Sequence, residues 1–105
     1  MTDKRLVLST ASSHEEARKI ARTLVEARLA ACAQVVGPMQ SLYRWKGEVE
    51  EADEFLVLIK TTVTCLARLR SELQKLHSYE IPECIEIPVE SGLPAYMNWI
   101  DQNVR

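Results

Sequence analysis

The stretch QKLHSYEIPECIEIPV, residues 74–89, holds the densest polar group in the chain: His77 with Tyr79, Glu80 and Glu83. A neutral imidazole is a good ligand for copper, zinc or nickel, and nearby carboxylates can complete such a site or orient the ring. The plainer reading is a polar helix-to-strand connection, with His77 in the last helical turn, where positive charge suits the dipole. One His without a second ligand at fixed spacing does not separate the two. Cys32 lies between Ala31 and Ala33. It reads as a buried, inert thiol or, more sharply, as a soft ligand for Cu(I). Cys65 falls in the first turn of a helical pattern, where the dipole lowers a thiol pKa; a surface position explains it equally well. No Cys and His are paired as nucleophile and base at a telling spacing. No catalytic residue is assigned and no enzyme activity is expected.

Tyr43, Arg44, Trp45 and Lys46 alternate aromatic and basic side chains near a turn. Aromatics on a sheet can stack bases, but the RNP pattern is absent, and contact with another subunit suits Tyr43 and Trp45 better. Glu54 opens the apolar run EFLVLIK and Lys60 closes it. Each meets a charge on another strand or lines a cleft between subunits.

These residues need elements to position them. KRLVLST predicts a strand over residues 4–11. Ser13 and Glu16 have capping-box spacing, and Ala17, Ile20, Ala21, Leu24 and Val25 follow on one helical face, predicting a helix of about four to five turns. ACAQVVGPMQSLYRW predicts a long strand bent or bulged at Gly37-Pro38, then a turn at Lys46-Gly47 and a second long strand. Leu66, Leu69, Leu73 and Leu76 predict a second helix, capped by Thr62 or Thr64. PECIEIPVE alternates like a half-buried strand, and PAYMNWIDQNV predicts a short last helix with Tyr96, Trp99 and Ile100 on one side. The order β-α-β-β-α-β is the ferredoxin-like α+β arrangement, with two helices on one face of a four-stranded sheet and a C-terminal helix added.

The chain has 105 residues, of which 47% are hydrophobic and 27% charged, with net charge −2. That is one domain, residues 1–105, able to bury a core without a disulfide framework. Acidic balance excludes the usual nucleic-acid binder. Three Cys without a CxxC spacing argue against a zinc ribbon and for reduced thiols in the cytoplasm. No apolar run is long enough to span a membrane or serve as a leader. Phe55, Val57 and Ile59 face one way along their strand and Leu56 and Leu58 the other, yet the chain offers helices for one face only. A second copy, or the last segment, must cover the other.

RLAACAQV, SLYRWKGEVE, EFLVLIKTT, HSYEIPECIEIPV and YMNWI stand in the order and spacing of the CutA family, the divalent-cation-tolerance proteins, which the chain resembles over nearly its whole length. The resemblance implies a ferredoxin-like subunit in a PII-like homotrimer. It implies a role in tolerance of or response to metal ions, with Cu2+ or another divalent cation as the candidate ligand and no organic cofactor. It implies His77 and Cys32 as metal ligands, Tyr43, Trp45, Glu54, Lys60, Tyr79, Glu80 and Glu83 at a cleft or interface, and a cytoplasmic location. Some relatives carry a Cys where this chain has Ser9 and paired histidines where it has Leu76-His77-Ser78; a copper site built on those ligands would be incomplete here. The alternatives are a PII-like signalling module taking a small anionic ligand between subunits, lined by Lys60, Arg44 and Tyr43, and a structural trimer with an indirect metal phenotype. No nucleic-acid or membrane partner is expected.

Overall fold

The computed structural model describes residues 2–105. Strands β1 (Lys4–Ala11), β2 (Cys32–Trp45), β3 (Glu48–Thr62) and β4 (Ile85–Pro88) form one antiparallel sheet in the order β2-β3-β1-β4. Helices α1 (His14–Glu26) and α2 (Leu66–Leu76) make the crossovers, and α3 (Pro94–Asn103) ends the chain. This is the expected α+β ferredoxin-like order.

Register assigns the faces, because directly opposed residues of an antiparallel pair point the same way. Val7, Ser9 and Ala11 oppose Ile59, Val57 and Phe55. On them lie Ala17, Ile20 and Leu24 of α1 and Leu66, Leu69 and Leu73 of α2, which close the core. The other face carries Leu6, Leu8 and Thr10 opposite Lys60, Leu58 and Leu56. Ile87 and Ile85 flank it on β4, and Val36 flanks it on β2. Helix α3 covers one end of this second face. Ile100 is buried there, Asp101 accepts from Lys4 Nζ at 2.9 Å, and the Tyr96 hydroxyl lies 3.5 Å from Cys32 Sγ. Tyr96 and Trp99 stack on each other and stay exposed, so Ile100 alone of the three is buried. The rest of the face stays open: Val36 and Ile85 are each 50% exposed and Ile87 38%.

Three details differ from the sequence reading. Helix α1 stops at Glu26 because Arg28 turns left-handed (φ 61°) and the N–H groups of Leu29 and Ala30 both return to the Leu24 carbonyl. No glycine marks that stop. Neither Thr62 nor Thr64 caps α2; a short 3-10 turn, Val63–Cys65, leads into it, and the two hydroxyls meet each other at 3.2 Å. Cys65 is buried rather than on the surface.

Ser9 is buried on the helix face, and its hydroxyl has no hydrogen-bond partner among the described residues. A hydroxyl in that position costs about 1–3 kcal/mol. Ser9→Ala is therefore expected to raise stability by about 1 kcal/mol, seen as a higher thermal midpoint by circular dichroism; a fall would show that the hydroxyl has a partner.

Candidate functional site

The site is built where the long β2–β3 hairpin meets the connection from α2 to β4. Lys46 and Gly47 both have positive φ (50° and 83°), the two-residue turn whose twist matches the flanking strands. Further down, the register slips between Val36 and Met39. Before the slip Gln34 and Val36 oppose Leu58 and Leu56; after it Met39, Ser41 and Tyr43 oppose Glu54, Ala52 and Glu50. The bulge changes which parity of β2 faces the open side. It thereby moves Met39, Ser41 and Tyr43 onto the same face as Leu56 and Glu54. Gly37 sits at the bend because a Cβ there would lie 2.7 Å from Phe55 Cδ2 and 3.0 Å from the Glu54 carbonyl.

The other wall hangs on His77. Its side chain is fully buried. Nε2 lies 2.7 Å from the Thr10 carbonyl, which can only accept, so Nε2 carries the proton. Nδ1 accepts the Tyr79 N–H at 3.1 Å. Both ring nitrogens are thus engaged in the neutral form. Glu16 braces the same turn: its carboxylate accepts the Ser78 N–H at 2.8 Å and lies 3.7 Å from His77 Nδ1. Burial alone would raise the Glu16 carboxyl, but the hydrogen bonds from Ser78 and Ser12 outweigh it and hold it below the usual carboxylate range. The capping box is therefore half made. Ser13 Oγ accepts the Glu16 N–H at 3.0 Å, while the Glu16 side chain serves another part of the fold.

Held in this way, the Tyr79 ring tilts over His77 at 4.7 Å, and its hydroxyl donates to Glu54 at 2.5 Å. Burial first, and the Glu54 carboxylate next, push that hydroxyl well above the usual phenol range, so it remains a donor. Between hairpin and connection lies an open cavity of about 560 Å³, lined by Tyr43, Trp45, Glu54, Leu56, Tyr79, Glu80, Ile81 and Glu83 among others. Burial, then Glu54, raises the Glu83 carboxyl.

Six of the sequence candidates thus share one cavity: Tyr43, Trp45, Glu54, Tyr79, Glu80 and Glu83. Lys60 lies away from it, with its ammonium on the Gln34 side chain. Arg44 turns back to the Gly47 carbonyl, and no Lys or Arg is among the lining residues. His77 stands behind the wall as its support. Cys32 opposes Lys60, whereas the Thr10 that holds His77 opposes Leu56, four residues along β3 and roughly 13 Å away. His77 and Cys32 are therefore not one donor set. No group of three or more His, Cys, Asp or Glu able to hold a metal ion occurs among the described residues. With both imidazole nitrogens occupied, these residues do not fit a resident metal as ligands. Cys65 donates to the Arg105 carbonyl, and burial raises the Cys84 thiol. Sequence reading missed Thr10, Met39, Ser41 and Leu56, which enter through register alone, and the cross-brace from Glu16.

This geometry can be compared with known proteins. A sequence model of the CutA1 divalent ion tolerance protein matches residues 5–103. The chain belongs to the CutA1 family. The divalent-cation tolerance protein CutA of Thermus thermophilus is 44% identical over 93% of this chain and 95% of its own length. A solved structure of the Thermus protein superposes with a TM-score of 0.95, covering 97% of this chain and 99% of that one at 42% identity. The CutA structure from Archaeoglobus fulgidus, described as periplasmic, gives 0.94 at 39% identity, covering 97% and 99%. The protein CutA of Mus musculus is 41% identical over 89% of this chain, which spans only 52% of its length. No helix of the described residues is long and apolar enough to cross a membrane.

Two outcomes follow for the brace. Nitrogen-15 spectra at neutral pH should show His77 as the neutral Nε2–H tautomer; a charged ring would contradict the hydrogen bonds above. Glu16 has a folded pKa below its usual value, so it contributes stability above about pH 4.5 that is lost as pH falls through the folded value. Urea midpoints measured from pH 6 to pH 3 should therefore fall less steeply in Glu16→Gln than in the parent chain.

Proposed function

We propose that this chain acts as a homotrimeric, non-enzymatic divalent-cation tolerance protein in the cytoplasm. The family match over residues 5–103 carries this reading. Self-association is supported by the open second sheet face, where half-exposed Val36, Ile85 and Ile87 adjoin the apolar strip of Leu6, Leu8, Leu56 and Leu58. Burying apolar surface stabilises by roughly 25 cal/mol per Å², and another copy offers the same face or the same hairpin. A cytoplasmic setting suits three unpaired thiols, all buried or half-buried. The tolerance role does not run through a shared His77–Cys32 metal site, because the two are apart and the imidazole has no free nitrogen. A small anion between subunits is the weaker reading, since the cavity presents carboxylates and no cation.

Light scattering should return about 36 kDa, three times the 11.9 kDa chain mass; a species at the chain mass would remove the assembly. Calorimetric titration of reduced, metal-stripped protein with Cu2+ should give the same weak isotherm for the parent chain, Cys32→Ser and His77→Gln. Saturable binding of one ion per chain, lost in either variant, would restore those residues as ligands.

A further inference from the structure

We propose that the cavity between the β2–β3 hairpin and the α2–β4 connection is a binding site for a small organic ammonium ion with an apolar or aromatic body. Glu54 carries the argument. It is 9% exposed and lines the cavity, and its hydrogen bond comes from the Tyr79 hydroxyl on one carboxylate oxygen. No other side-chain hydrogen bond and no ion pair reaches Glu54 among the described residues; its second oxygen, Oε1, is not fully enclosed and keeps access to solvent. A carboxylate set in a largely apolar wall, met by one neutral donor and by no cation, favours a positively charged partner. Glu80 and Glu83 line the same space, likewise without an ion-pair partner among the described residues. The cavity thus concentrates negative charge in a largely apolar wall of Leu56, Ile81 and the aromatics.

The chemistry narrows the occupant. An anion would face three carboxylates. A bare dication would need them gathered around one point, and no such grouping of ligands exists among the described residues. An ammonium on an apolar body matches both features of the wall: its N–H groups answer the free carboxylate oxygen, and its carbon skeleton lies against Leu56 and Ile81. Tyr43 and Trp45 add ring faces that attract a cation, and Trp45 already has Lys46 Nζ 6.0 Å from its ring centre. A volume of about 560 Å³ is in the range of small-molecule sites. Glu54 fixes the charge, Tyr79 orients Glu54, and His77 holds Tyr79 in place. The inference is independent of the metal-tolerance reading, which needs no amine.

The test is an amide-shift titration of the intact oligomer by NMR with 3-phenylpropylammonium. Its neutral counterpart, 3-phenylpropan-1-ol, is run in parallel. The ammonium should give saturable shifts at Thr10, Ser41, Tyr43 and Tyr79, and the alcohol should bind at least about tenfold more weakly. Glu54→Gln keeps an acceptor for the Tyr79 hydroxyl and should weaken the ammonium about tenfold while leaving the alcohol unchanged. Glu80→Gln, at an exposed position where folding is not in question, should weaken it by a smaller factor. Equal binding of the two probes would overturn the inference by showing that the cavity reads apolar shape alone. Absence of shifts with either probe would also overturn it, because the space would then be filled by a second copy. An unchanged affinity in both variants would do the same. None of these results touches the mass or copper measurements, so failure here is distinguishable from failure of the tolerance reading.

Discussion

A sheet with two apolar faces and crossover helices for only one is the constraint that organises this molecule. Strand β3 sets it: Val57 and Ile59 enter the helix-covered core, while Leu56 and Leu58 point away from it. Everything on that second side is a partial answer. Helix α3 lays Ile100 over one end and is tied to Lys4 and Cys32. The middle, with Val36 and Ile85, stays exposed. The far end becomes the acidic cavity. The cavity lies on this face because a fold of this size cannot bury both sides of its sheet with its own helices.

The cavity exists because of two local devices. The bulge at Gly37-Pro38 shifts the parity of β2, so Met39, Ser41 and Tyr43 turn to the open side. Without that shift the alternation would send them to the helix side. The second device is the bracket around His77. Thr10 from β1, Glu16 from α1 and the Tyr79 backbone converge on one turn. A buried imidazole with both nitrogens satisfied is a rigid spacer. Here it transmits position from the core to Tyr79 and through Tyr79 to Glu54. The residue type that suggested metal chemistry is thus spent on geometry, and the carboxylate it positions through Tyr79, Glu54, lines the cavity.

The polar groups divide by what satisfies them. Lys4, almost wholly buried, meets Asp3 and Asp101; Arg70 meets Glu86 across α2 and β4. Glu54, Glu80 and Glu83 meet no positive charge among the described residues. That contrast within one small domain separates charges paired within the fold from charges left unpaired along the cavity.

Element order, strand β1, the turn at Lys46-Gly47 and the leucine stripe of α2 were determined by the sequence itself, because each depends on periodicity or on backbone preferences of neighbouring residues. The two-faced character of β3 was legible for the same reason, and so was the polar cluster at residues 77–83. The meeting of that cluster with Tyr43, Trp45 and Glu54 was suggested by family resemblance, and only the tertiary structure gives it a shape. The early stop of α1 carried no local signal, since an arginine takes the left-handed position where a glycine is usual. Whether His77 was a ligand or a support could not be read from spacing either. The answer lies in which atoms face its two nitrogens, and Thr10 is 67 residues away along the chain. Hydrogen bonds and cavities depend on positions in space that long-range pairing creates, and a residue's neighbours in sequence hold no record of them.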